Sequence, residues 1–82
     1  MIDIEQKLIE RCANVRTIDT LQKFLRKMQG NPTIEPWHSG VGIGEVHTYE
    51  NGQIEVGVRN SGVITLSLYS PDLGFDYYFV EC

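Results

Sequence analysis

Three glycine-bearing turns in the second half of the chain constrain its fold more than any other feature. Glu50-Asn51-Gly52, Asn60-Ser61-Gly62 and Pro71-Asp72-Leu73-Gly74 recur at intervals of about ten residues, the spacing of short strands joined by tight turns. Between them run segments in which Val, Ile and Leu alternate with polar residues. The pattern predicts an α+β domain: a four-stranded antiparallel β-meander over 41–82, with two N-terminal helices packed on one of its faces.

The turns also imply a register. A three-residue loop at Glu50-Asn51-Gly52, closed by a left-handed glycine, opposes Thr48 to Ile54, Val46 to Val56 and Gly44 to Val58. The same loop at Asn60-Ser61-Gly62 opposes Val58 to Ile64, Val56 to Leu66 and Ile54 to Leu68. Both turns put Val46, Ile54, Val56, Val58, Ile64, Leu66 and Leu68 on one face, and a one-residue slip would turn a strand's apolar set outward. A two-residue Asn51-Gly52 hairpin would instead oppose Val56 to His47 and Val58 to Glu45, which is poorer chemistry. A four-residue loop from Pro71 to Gly74 sets Tyr77 against Leu68 and Phe79 against Leu66; a three-residue loop would bring in Tyr78 and Val80. The opposite face then carries Glu45, His47, Tyr49, Glu55, Tyr69, Asp76 and Tyr78 among small polar residues, and an antiparallel sheet can leave such a face wet.

Upstream, Ile4, Leu8, Cys12 and Val15 fall at helical spacing behind an Asp3 cap with Gln6 completing a capping box, which predicts a helix over 3–14. Thr17 is the expected cap of a second helix over 18–29, with Ile18, Leu21, Leu25 and Met28 as its stripe and Gly30 just past its end. One long kinked helix is the alternative. The stretch 30–40 holds Pro32 and Pro36 and reads as a linker, with Trp37 packing over the core edge to pin the crossover from helix to sheet.

Composition enters through size and charge. The 82 residues make a single domain, and a chain this small buries only about 60% of its unfolded surface, which argues against a deep cofactor cavity. Net charge is −4 and unevenly spread. The second helix holds Arg16, Lys23, Arg26 and Lys27 against Asp19, whereas residues 31–82 hold seven acids and one base, Arg59. An acidic sheet disfavours phosphate backbones and favours a basic protein partner. Cys12 and Cys82 are too far apart in sequence and too few to read as a disulfide framework. The acidic start, Met-Ile-Asp-Ile-Glu, lacks a signal peptide's basic and apolar regions, and no apolar run approaches a membrane span, so a cytoplasmic protein is expected.

No catalytic, cofactor-binding or metal motif emerges. Ser39 to Glu45 alternates glycines but lacks a phosphate-loop lysine and leads into a strand, so close backbone packing explains it better. His38, His47 and Glu45 lack the close pairing of zinc ligands. Cys12 lies on an apolar stripe, as small buried hydrophobes do. The expected function is therefore non-enzymatic: an acidic domain that binds and inhibits or neutralises a protein with a basic surface. The analogy in size and charge is to toxin-immunity proteins and phage-encoded inhibitors of host defence, anti-CRISPR proteins included. Trp37, Tyr49, Tyr69 and Tyr78 would anchor the partner, with Glu45, His47, Glu55, Asp72 and Asp76 around them. The alternatives are a nucleic-acid or regulatory module on the basic second helix, and a small enzyme or ligand binder around Gly40–Gly44 and His47. Monomer and edge-strand homodimer both fit.

Overall fold

A computed structural model describes residues 6, 10 and 14–81, apart from the side chains of 76 and 77. One helix, α1 (Val15–Lys27), covers one face of a five-stranded antiparallel sheet. The strands are β1 (Thr33–Ser39), β2 (Gly42–Tyr49), β3 (Gly52–Arg59), β4 (Ile64–Ser70) and β5 (Phe75–Glu81), paired in sequence order. The α+β class and the antiparallel meander agree with the sequence reading; the strand count does not. Of the expected first helix, 3–14, only Gln6, Glu10 and Asn14 fall among the described residues; Gln6 and Glu10 are helical, with Gln6 Nε2 donating to Glu10 Oε1 at 3.0 Å, while Asn14 lies outside a helix, just before α1. Asp3, Cys12 and Cys82 lie outside the described residues.

The added strand is the stretch read as a linker. Two prolines argue against a helix but not against an edge strand, where a missing N–H can face solvent. Pro36 stands opposite Glu45 on β1, and Gly40 and Val41 turn the chain into β2. The glycine-rich strand is thus internal, and the sheet's edges are β1, which carries Pro36, and β5, which ends on Glu81.

α1 starts earlier than expected. Asn14, not Thr17, is the cap, and its side chain accepts the Thr17 N–H at 3.2 Å. Thr17 is buried inside the first turn instead. Asp19 consequently lies one turn in, where it pairs with Lys23 at 3.0 Å across the exposed side. Leu21 and Phe24 are fully buried against Ile54, Val56, Ile64, Leu66 and Leu68, and Ile18, Leu25 and Met28 flank them. Phe24 meets the Phe75 ring edge-on at 5.2 Å, and Phe75 meets Tyr78 at 6.1 Å, which fastens α1 to β5.

The register divides cleanly between right and wrong. β3 and β4 pair as read, with Val58 opposite Ile64, Val56 opposite Leu66 and Ile54 opposite Leu68. Gly62 has φ 92°, and its N–H bonds the Arg59 carbonyl at 2.8 Å. β2 is one residue out. Glu45 opposes Val56, His47 opposes Ile54, and Val46 opposes Glu55, because Glu50 and Asn51 alone form the turn. Asn51 explains the shorter loop. Its side chain donates to the Lys27 carbonyl and accepts the Gln29 N–H, both at 2.9 Å, while the Glu50 N–H bonds the Gln29 carbonyl. The hairpin tip therefore caps the helix C-terminus. α1 stops at Lys27 through this clamp, and the left-handed Gly30, φ 78°, comes three residues later. Gly52 is already strand, and a Cβ there would come within 2.8 Å of Met28 Sδ and 2.9 Å of the Tyr69 carbonyl.

β5 combines both loop readings. Pro71–Leu73 form a 3-10 turn ending in Gly74 at φ 79°, and Ser70 pairs with Phe75 as the four-residue loop requires. A bulge follows, after which Leu68 opposes Tyr78 and Leu66 opposes Val80. Residues 76 and 77 together face Tyr69 alone, and this extra residue turns Phe79 outward.

Replacing Asn51 by Ala should lower stability by about 1–2 kcal/mol in urea unfolding. Asn51→Asp should be no better, since a carboxylate oxygen would then face the Lys27 carbonyl.

Candidate functional site on the uncovered sheet face

Strand parity assigns the side chains to faces. The helix side receives Glu45, His47 and Tyr49 from β2, the core residues of β3 and β4, and Tyr78 and Val80 from β5. The outer side receives Glu35 and Trp37 from β1, and Gly44, Val46 and Thr48 from β2. It also receives Gln53, Glu55, Gly57 and Arg59 from β3, Thr65, Ser67 and Tyr69 from β4, and Phe79 and Glu81 from β5.

Of the residues read as partner anchors, Glu45, His47, Tyr49 and Tyr78 therefore lie on the helix side. Glu45 is 8% exposed and His47 6%. The expected register would set His47 across from Glu55 on the open face; instead His47 opposes Ile54, and its Nε2 meets Glu45 Oε1 at 2.9 Å beneath the sheet. Alternate residues of a strand share a face, so two residues apart is the spacing that makes this pair. A carboxylate is costly to bury without a partner, and the imidazole supplies one. Tyr49 and Tyr78 pack against the core cluster, and burial raises the Tyr49 phenol pKa above its ordinary value. The side chain of Asp76 lies outside the described residues.

Trp37 moves the other way. Rather than pinning the core edge, its indole lies on the outer face across Gly44 and Gly57, which oppose each other on β2 and β3. A Cβ on Gly57 would come within 3.0 Å of the indole and 2.7 Å of Thr65 Oγ1; one on Gly44 would collide with the indole and the Val56 carbonyl. Close approach is thus the role of these glycines, as the sequence suggested, though the approaching group sits on the outer face. The indole Nε1 is buried without a hydrogen-bond partner among the described residues.

Beyond Trp37 the face opens. Glu55, Ser67 and Phe79 form one cross-strand row over β3, β4 and β5, and Gln53 and Tyr69 the next. These five side chains border an open depression of about 410 Å³. Tyr69 is 46% exposed and Phe79 42%. Tyr69 also borders a neighbouring hollow of about 360 Å³ together with Asp72 and Thr48. Of the expected residues, Tyr69 thus adjoins Glu55 in one depression and Asp72 in the next. Gln53, Ser67 and Phe79 were missed as site residues; only the bulge in β5 puts Phe79 here. The one cation among the described residues of this face, Arg59, bonds Glu81 through Nη1 at 3.2 Å. Glu35 and Glu55 are exposed and make no ion pair among the described residues.

Nothing in this arrangement assembles a metal centre: no group of three or more His, Cys, Asp or Glu side chains that could hold an ion occurs among the described residues. No helix among the described residues is long and apolar enough to cross a membrane.

Glu45→Leu should destabilise the fold by about 1–3 kcal/mol, because the buried imidazole loses its acceptor. Adding His47→Leu should recover part of that loss in urea unfolding. Gly44→Ala should lift the indole off the sheet, read as a red shift in the emission of the chain's single tryptophan.

No protein-family model, curated protein or solved structure matches the chain.

Proposed function

We propose that the chain is a non-enzymatic binding protein whose uncovered sheet face docks a basic surface of a protein partner and thereby inhibits or neutralises it. The observation that supports this most is the pairing of exposed aromatic rings with uncompensated acids on one face. Tyr69 and Phe79 are half exposed on it, Glu55 borders them, Glu35 lies two strands beyond Glu55 in the same cross-strand row, and Arg59 is already engaged by Glu81. Aromatic anchors within a polar surround are what specific interfaces use. Five strands about 4.8 Å apart and seven residues of about 3.3 Å rise give a face roughly 20 Å on a side. That is the right order for one partner's share of a specific interface, about 800 Å² of accessible surface. Size and net charge fit a stoichiometric inhibitor of the immunity-protein or phage anti-defence type, in a cytoplasmic setting.

The reading through the basic helix has less behind it. Asp19 takes up Lys23, and Arg26 turns its Nε back to the Gln22 carbonyl. An enzyme centred on His47 has less still, because that ring is buried and its Nε2 is occupied.

The double variant Glu35→Lys/Glu55→Lys should weaken binding of the captured partner at least about tenfold, a change of roughly 1.4 kcal/mol. Its unfolding midpoint should barely move, since both sites are exposed. Affinity capture with the wild type and this variant side by side reads the effect. Equal capture by both would overturn the proposal, and loss on Lys23→Glu/Lys27→Glu instead would move the interface to α1.

A further inference from the structure

We infer that the depression between Glu55, Ser67, Tyr69 and Phe79 seats the guanidinium of an arginine side chain; the inference rests on the outer face being the docking surface. The depression exists because of a size contrast along one row. Ser67 is the small middle residue, with Glu55 on one side and Phe79 on the other. Tyr69, two residues along β4 on the same face, closes one end, and Gln53 stands opposite Tyr69. Two rings and one carboxylate around a small floor make a site for a cation that is also planar.

Guanidinium fits that description better than ammonium. It is weakly hydrated, stacks on aromatic faces and forks onto a carboxylate through two parallel N–H bonds. Glu55 supplies the carboxylate. It is exposed and makes no ion pair among the described residues, so no salt bridge must break first. Ser67, Tyr69 and Gln53 line the same space, and each carries a side-chain oxygen that can accept an N–H donor. An ammonium would have to shed a tighter hydration shell for a site without a second carboxylate. The face also holds a guanidinium–carboxylate pair of its own, Arg59 with Glu81 at 3.2 Å.

Blocked Gly-Arg-Gly, Gly-Lys-Gly and Gly-citrulline-Gly tripeptides, titrated into the ¹⁵N-labelled chain, test the assignment. The arginine peptide should saturably shift the amides of Glu55, Ser67, Tyr69 and Phe79. Citrulline, which keeps the shape without the charge, should leave them unmoved, and lysine should bind several-fold more weakly. Glu55→Gln and Phe79→Ala should each weaken the arginine response at least about fivefold, and Ser67→Leu, which fills the floor, should abolish it. Equal responses to arginine and lysine, a response to citrulline, or no saturable shift at these amides would overturn the inference. The outcome is separable from that of the docking face. If Glu35→Lys/Glu55→Lys abolishes partner capture while Phe79→Ala and Ser67→Leu leave it intact, the face stands and the arginine seat falls. If the arginine peptide binds but charge reversal spares capture, the seat stands and the docking proposal falls.

Discussion

The two hydrogen bonds between the Asn51 side chain and the end of α1 are the contact on which the rest of the structure turns. They join a helix terminus that needs partners to a hairpin tip that can supply them. With Asn51 committed to Lys27 and Gln29, the turn contains only Glu50 and Asn51, and Gly52 begins the next strand. That single residue decides the parity of β2. Glu45 and His47 go beneath the sheet, Val46 goes above it, and Gly44 comes opposite Gly57 to form the saddle for Trp37. β1 inherits the same parity from β2, so the clamp reaches the edge of the sheet without touching it.

The legible and illegible parts of the fold differ in a physical way. Asn60-Ser61-Gly62 was readable because its left-handed glycine and two local turn hydrogen bonds, Gly62 N–H to the Arg59 carbonyl and Arg59 N–H to the Val63 carbonyl, give the register that the glycine predicts, and the bonds Asn60 makes to Gly40 and Val41 leave that register unchanged. Glu50-Asn51-Gly52 looks alike in sequence but is governed by residues more than twenty positions away, which no turn preference records. The core residues of β3 and β4 were legible from alternation, and Leu21 from helical spacing, whereas Phe24, outside the expected stripe of Ile18, Leu21, Leu25 and Met28, proves a centre of the core. β1 was hidden because Pro36 counts against a strand unless the strand is known to be an edge. The bulge in β5 was hidden too, since an extra residue without glycine leaves no mark in the pattern.

The candidate site shows the same division. Glu55, Tyr69 and Asp72 sit on segments whose pairing or turn was read correctly, and Tyr69 links the other two across neighbouring depressions. Glu45, His47 and Tyr49 changed faces with β2, and Phe79 changed faces with β5. The swap exchanges one kind of chemistry for another. A histidine and a carboxylate leave the open face for a buried pair, and a phenyl ring takes a place on it.

That exchange bears on what the outer face is for. Foldability alone does not require Phe79 and Tyr69 there, since serine and threonine serve the neighbouring positions Ser67 and Thr65 on the same strand face. Single exposed apolar residues are ordinary on proteins, but two rings around one small residue, beside a carboxylate with no ion pair among the described residues, are a local concentration. Trp37 contrasts with them. It is an aromatic residue on the same face, yet the Gly44–Gly57 saddle lets it lie down and bury its indole nitrogen. The fold can therefore retract an aromatic ring into this face where glycines permit it. Tyr69 and Phe79 stay about half exposed around Ser67, which is two residues from Tyr69 on β4 and opposite Phe79 on β5, small enough to make a hollow but bearing a Cβ and a hydroxyl where the saddle has bare backbone. Bare backbone receives the chain's own indole; a hollow floored by a hydroxyl and walled by a carboxylate suits a group that brings hydrogen-bond donors and a positive charge.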